Sequence, residues 1–429
     1  MILVMREWYM APSGQIPAYE WNFSDVNPPV YAWASYEVYR IEKERTGKGD
    51  VNFLKRVFNK LSLNFTWWVN RKDRSENNVF EGGFLGLDNI GVFDRSNEIP
   101  GGGHLEQADG TAWMAMFSLN MLQISLEIAL EDSAFEDMCT KYFEHFVHIS
   151  SSLNGNNNKW IGSWDEEEGF FYDVLVMPDN REIPIKVRSL VGLMTINAVL
   201  HIPKETLKKL PEFYRSLKWF RNDRAKHGYP LVIEEFTEGE DILLSLVPKK
   251  RLNKLLVSLL DEKEFMSDYG IRALSKIHEQ PYHINIDGED FSVKYDPAES
   301  STYLFGGNSN WRGPIWMPMN FLFVESLKEY HKYYKDDIGV QCLEGSCRTV
   351  NLLELSNQIS RRLVNLFKQD EQGNRPIHGL DRDWYRDEYF KDLVLFYEYF
   401  HGDNGRGVGA THQTGWTGCV AYLIDQTVD

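Results

Sequence analysis

Residues 111–130 read TAWMAMFSLNMLQISLEIAL, a run that is apolar on almost every face of a helix, as expected of a helix buried on all sides rather than one resting on a core. Directly after it, Ser133 and Glu136 have capping-box spacing, and Phe135, Met138, Tyr142, Phe146 and Ile149 recur on one helical face. An all-buried helix followed by an amphipathic one is the pattern of an inner and an outer helix in a layered helical fold. The alternation recurs outward from this pair. Residues 28–45 with 51–68, 187–200 with 204–220, and 316–327 with 352–367 make similar pairs, and less regular helices fall at 249–260 and 414–425.

The count is about ten helices in hairpins. Long Gly-, Asn- and aromatic-rich connections at 77–110, 151–184, 279–313 and 372–414 exceed what a compact domain needs unless they carry function. Short strands are expected at 169–176 and 281–294. The predicted fold class is all-α, an α/α toroid of helical hairpins holding long loops at one end. No Pro/Ser-rich linker divides the chain, so a single domain over 1–429 is expected.

Composition narrows the function. The chain has 429 residues and a formal charge of −17, which argues against nucleic acid, whose binding relies on Lys and Arg neutralising phosphates. Aromatics make up 14% of the chain, with 13 Trp. Most must be core, but several Trp sit beside Gly, Asn, Asp or Arg, where a ring can stack on the C–H face of a sugar. Cys139 and Cys419 lie in apolar surroundings and read as buried thiols. Cys342 and Cys347 could close a small disulfide, with two free thiols favoured in a reducing cytosol. The apolar start ends at Arg6 and Glu7, and no stretch reaches the roughly 18 apolar residues of a membrane span. A soluble, cytoplasmic protein is expected, with no membrane partner.

Five segments carry candidate chemistry. In the first, Trp21, Asn22 and Asp25 precede Pro28 and Pro29; Asp25 reads either as a helix cap or as a hydroxyl-binding residue. In the second, Asp88 and Asn89 lie in a Gly-rich loop with Leu and Phe neighbours. Apolar surroundings raise a carboxyl pKa and suit a proton donor, although Asp in such a loop is ordinarily a turn residue. In the third, Gln107 and Asp109 stand at the start of the all-apolar helix, where capping and substrate contact are both open. Within the acidic run 163–168, which reads as a solvated hairpin, Trp164 is a candidate sugar platform.

The fourth segment, Trp311-Arg312-Gly313-Pro314-Ile315-Trp316, places an Arg between two Trp. Its guanidinium could bind hydroxyls or a carboxylate, or stack on Trp as a cation–π contact. In the fifth, Glu398 is set among Phe396, Tyr397, Tyr399 and Phe400, then a glycine-rich turn leads to His412 and Trp416. A carboxylate among aromatics needs a partner or a task. There is no metal-ligand motif, and Asp287-Gly288-Glu289-Asp290 reads as a hairpin turn rather than a calcium loop. No cofactor is expected.

In order along the chain, Asn27-Pro28-Pro29, Gly86-Leu87-Asp88-Asn89, the Trp311–Trp316 element, Glu398-Tyr399 and Gly415-Trp416-Thr417 resemble glycoside hydrolase family 63. The resemblance implies an (α/α)6 barrel that cleaves an α-linked glucosyl or mannosyl residue from an oligosaccharide or small glycoside with inversion. It also implies that Asp88 is the general acid and Glu398 the general base. The family's first inner helix has no counterpart before Tyr19, so we expect about two helices to come from a longer protein or another subunit. Two other classes stay open. One is a lyase or epimerase on an α/α toroid, with His412 and a Tyr in place of Asp88. The other is a non-catalytic sugar-binding or partner-completed component.

Overall fold

A computed structural model describes residues 1–427 apart from 7–8, 20–21, 24, 71–78, 81–84, 88, 96, 98, 155–161, 227–236, 303–308, 342, 344–347 and 381–382. Trp21, Asp88, Cys342 and Cys347 therefore lie outside the described residues. The helices in chain order are α1 (Tyr31–Thr46), α2 (Val51–Val69), α3 (Ala108–Ala129), α4 (Glu136–Leu153), α5 (Leu190–Leu193), α6 (Lys204–Lys209), α7 (Pro211–Lys226), α8 (Lys249–Leu260), α9 (Met317–Tyr334), α10 (Leu352–Asn365), α11 (Thr414–Thr417) and α12 (Val420–Thr427). Short antiparallel strand pairs and one three-stranded sheet accompany them. The fold is helix-rich, as predicted. The described chain gathers into two compact units. One comprises Met1–Gly86, Gly102–Ile185 and Met194–Lys249, the other Leu87–Gly101, Lys186–Leu193 and Lys250–Asp429.

In the first unit α3 is buried along nearly its whole length, as its unbroken apolar run requires. Helix α2 starts at Asp50, whose side chain accepts from the Phe53 N–H. It buries Leu54, Val57, Phe58, Leu61, Phe65 and Trp68 on one face. Phe65 stands edge-on to Phe117 of α3 and Tyr142 of α4, with ring centroids 5.1 and 5.0 Å away.

Several sequence expectations are corrected here. Ser133 and Glu136 form no capping box: Ser133–Phe135 is a 3-10 turn, and α4 has no side-chain cap. Instead Glu136, buried, accepts at 2.9 Å from the Phe213 N–H in the first turn of α7. The helix predicted over 187–200 is only the short α5, a 3-10 turn at Met194–Asn197 and a strand, Val199–Ile202, paired with Ile242–Ser245. A short, wholly buried apolar run has no period to separate helix from strand. Pro211 divides the helix predicted over 204–220, because proline lacks the N–H and clashes with the preceding turn. Pro28 and Pro29 precede α1 rather than open it, and the N-cap position is Val30, not Asp25.

In the second unit α9 packs on α10, and α10 on α12. Buried Asn320 of α9 accepts from the Ile271 N–H at 2.7 Å and donates to the Ile271 and Trp316 carbonyls at 3.0 Å each. The hairpin expected over 281–294 is present as Tyr282–Ile286 against Glu289–Val293, turning at Asp287 and Gly288. Buried His278 accepts the Arg188 N–H on Nε2 at 2.9 Å. Burial, helped by the Arg188 charge, holds its imidazole down at about 4. Cys139 and Cys419 are free thiols; burial raises both, Cys419 up to about 12. No helix among the described residues is long and apolar enough to cross a membrane.

Two outcomes follow from this packing. Phe65→Ala should cost about 3–5 kcal/mol in chemical denaturation, whereas Trp219→Ala, at a side chain 64% exposed, should stay within about 0.5 kcal/mol. Equal effects would contradict the assignment of α2 to the core. Because the folded state keeps His278 neutral, its contribution is complete above the ordinary histidine pKa of about 6.5 and is lost as pH falls from there toward 4. His278→Gln should therefore flatten the fall in Tm across that window; an unchanged slope would show that His278 is not responsible.

Candidate functional site

The site is built on one residue's backbone. The Ile315 N–H donates to the Phe400 carbonyl at 2.8 Å, and the Phe400 N–H returns to the Ile315 carbonyl at 2.9 Å. On the other side the Ala273 N–H donates to the Pro314 carbonyl at 2.9 Å. Residues 314–315 thus lie between the Arg272–Ala273 segment and a short hairpin, Tyr399–Phe400 against Gly407–Val408.

Glu398 stands at the open end of that hairpin. Its N–H donates to the Ala410 carbonyl at 2.9 Å, and its Oε2 accepts the Ala410 N–H at 3.1 Å. Gly409, at φ 74°, permits this: a Cβ there would come within 2.7 Å of Glu398 Oε2, so only glycine fits both the left-handed backbone and the space. The carboxylate is half-buried, with one oxygen fixed by a backbone donor. Among the described residues Oε1 makes no hydrogen bond.

Behind the hairpin lies an aromatic stack. Trp311 is parallel to Trp316, 3.8 Å between centroids and 4° between planes, and Trp316 stacks on Tyr399 at 4.6 Å and 22°. Both Trp are buried, so they form the wall of the site rather than open platforms. Burial raises the Tyr399 phenol, and the Glu398 charge adds to this. Trp416 on α11 is half-buried and meets Trp316 edge-on at 6.0 Å; its buried indole N–H has no hydrogen-bond partner.

Asn89 and Asn310 bind this wall to the loop that carries Asp88. Asn89 Oδ1 accepts the Trp311 N–H at 2.8 Å, and its carbonyl accepts Arg312 Nε at 2.7 Å. Arg312 Nη2 donates to the Gly91 carbonyl at 3.0 Å. Asn310 Nδ2 donates to the Asp296 and Ala298 carbonyls, Oδ1 accepts the Arg312 N–H, and the Asn310 carbonyl accepts Trp316 Nε1. Arg312 thus directs Nε and Nη2 to backbone carbonyls, and burial lowers its pKa. Asn89, likewise, has its side chain engaged by protein.

The remaining candidates are placed as follows. His412 is exposed, its ring 6.0 Å from Phe396. In the first unit Gln107 is the N-cap position of α3 without a side-chain cap, and the first-turn N–H of Ala108 is taken by Asp173 at 2.8 Å. Asp109 is fully buried inside the helix, accepting the Gly110 N–H at 2.9 Å. Trp164 is buried edge-on to Phe171, 4.7 Å away. Asn22 closes a turn to Tyr19, and Asp25 is half-buried. Sequence reasoning took Tyr399 only as an aromatic neighbour of Glu398 and did not single out Asn310, Gly409 or Ala410. Of these only Gly409 carried a signal, in the glycine-rich turn after Glu398. Among the described residues no cluster of three or more His, Cys, Asp or Glu is placed to hold a metal.

An uncharacterized protein of Saccharomyces cerevisiae is 50% identical over 439 residues, covering 98% of this chain and 40% of that protein. The mannosyl-oligosaccharide glucosidase of the same yeast is 25% identical over 274 residues, covering 58% of this chain and 27% of the enzyme. The chain thus spans less than half the length of these relatives. Among solved structures, the family 63 mannosylglycerate hydrolase of Thermus thermophilus in complex with glucose superposes with a TM-score of 0.54 at 13% identity, over 99% of this chain and 86% of that one. At that identity the likeness is one of fold. Residues 102–343 match the model of the glycosyl hydrolase family 63 C-terminal domain. With more than half of its length in that match, the chain belongs to glycosyl hydrolase family 63.

Proposed function

We propose that the chain carries the catalytic pair of an inverting α-glycosidase, with Asp88 as general acid and Glu398 as general base. The observation that supports it is a continuous path between the two loops. Asn89, next to Asp88, accepts from Trp311; Trp311 stacks on Trp316; Trp316 stacks on Tyr399, next to Glu398. Two carboxyl-bearing segments far apart in sequence are thereby tied to one rigid aromatic wall.

The division of labour follows from environment. Glu398, with Oε2 oriented by the Ala410 N–H, is suited to polarise a water with its other oxygen. Asp88, in an apolar glycine-rich loop, is suited to hold a proton and give it to the departing glycosidic oxygen. Water attacks the anomeric carbon on the face opposite the leaving group, the glycosidic C–O bond breaks, and the water's proton passes to Glu398. The substrate is an α-linked glucoside or mannoside, and the free thiols, Cys139 buried and Cys419 half-buried, accord with a cytoplasmic protein.

With a panel of α-glucosides and α-mannosylglycerate followed by NMR, the first-formed product should be the β-anomer; initial α-anomer would refute inversion. Asp88→Asn and Glu398→Gln should each lower kcat by about 10²–10⁴-fold with Tm unchanged. Wild-type turnover in either variant would remove that residue from the mechanism.

A further inference from the structure

The hairpin carrying Glu398 is only two residue pairs long, Tyr399 with Val408 and Phe400 with Gly407. A ribbon that short is not stable by itself, and a slip of one residue would turn every side chain to the opposite face. Glu398 immediately precedes the first pair. Its direction therefore depends on whatever fixes the register of the hairpin.

The far end of the hairpin, the turn 401–406, is held by an ionic cluster that contributes nothing to the acid–base chemistry above. Asp403 Oδ1 accepts from three donors: Arg272 Nη2 at 3.0 Å, Tyr295 Oη at 3.0 Å and Lys276 Nζ at 3.3 Å. The Asp403 N–H donates to His401 Nδ1 at 3.0 Å, and the Gly402 N–H to the Pro297 carbonyl at 2.9 Å. Arg406 Nη2 donates to both carboxylate oxygens of Glu299, at 3.0 and 2.9 Å. Burial by itself would favour the neutral acid, but Arg272, Tyr295 and Lys276 together hold the Asp403 carboxyl below its ordinary range.

An exposed ion pair such as Arg406 with Glu299, the latter 62% exposed, contributes little, but the Arg272–Asp403 pair is not of that kind. The Arg272 side chain is 6% exposed, and its Nη1 also donates to the Glu262 and Met266 carbonyls. Its backbone pairs with Ile315, which in turn pairs with Phe400. The guanidinium thus reaches from one outer segment of this ladder, past Ile315, to the turn of the hairpin on the other side. Space enforces the same register: a Cβ on Gly402 would meet the Gly313 carbonyl oxygen at 2.6 Å and Tyr295 Oη at 2.7 Å.

We infer that Asp403 is a positioning residue for Glu398, locking the register of the 399–408 hairpin through Arg272, Tyr295 and Lys276 so that the carboxylate stays aimed by the Ala410 N–H. The inference rests on the reading of Glu398 as the general base. Asp403 touches no substrate; it acts through the hairpin.

The test compares Asp403→Asn, Tyr295→Phe and Gly402→Ala with Asp132→Asn, which removes the charge facing Lys55 in the other unit, and with Glu398→Gln. Two readouts are taken: amide hydrogen exchange of the peptide 398–411, and kcat and KM on whichever glycoside of the panel is cleaved fastest. The three cluster variants should speed exchange in that peptide at least tenfold. They should also lower kcat ten- to hundredfold with KM within twofold, while Asp132→Asn changes neither. If Asp403→Asn fails to fold, Tyr295→Phe, which keeps the ring and removes one hydroxyl, decides the matter. Wild-type exchange and wild-type kcat in Tyr295→Phe and Asp403→Asn would overturn the inference. A fully active Glu398→Gln would instead overturn the functional reading, leaving the exchange data to judge the register lock separately.

Discussion

Both backbone hydrogen-bonding groups of Ile315 are answered by one residue, Phe400, and the arrangement of the candidate site depends on that reciprocal pair. Ile315 is fully buried, so an N–H or carbonyl left without a partner there would cost on the order of 1–3 kcal/mol. The pairing fixes the distance between Trp316 and Tyr399, and their stack follows from it. Trp311 then stacks on Trp316, and its N–H goes to Asn89. A single rung of a ladder thus determines where two distant loops meet.

The site matches most of the polar groups inside this apolar wall to backbone. Asn89, Asn310, Asn320 and Arg312 are all buried, and all bind main-chain N–H or carbonyl groups. Satisfied networks of this kind specify one arrangement because every alternative strands a buried donor or acceptor. Glu398 differs. One of its oxygens is engaged by the Ala410 N–H, and the residue is only half-buried, which suits the base proposed above.

The helical fold was legible where periodicity was long. Helices α2, α3, α4, α8 and α10 lie within a few residues of their predicted spans because each carries several turns of consistent pattern, whereas α9 starts as predicted but runs on to Tyr334, seven residues past the predicted end at Leu327. The run 187–200 was not legible: buried on all sides, it offers no polar face to set a period, and Val199–Ile202 takes the strand form by pairing with Ile242–Ser245. The capping-box spacing of Ser133 and Glu136 misled because a partner distant in sequence, the first turn of α7, competes for the same carboxylate. At the site, Glu398 stood out because a carboxylate among aromatics is costly without a task. Arg312 could not be read, because its acceptors are carbonyls more than two hundred residues away, and a carbonyl is the same in every residue type.

The central claim is that Asp88 and Glu398 face one another as the acid and base of an inverting hydrolase. Its most direct measurement is a crystal structure that resolves Asp88 together with Glu398. Carboxyl groups separated by roughly 6.5–9.5 Å across a shared cavity, with space for one water beside Glu398, are the predicted result. A separation of about 5–5.5 Å, the spacing of a retaining pair, or an Asp88 carboxyl turned away from Glu398, would contradict it.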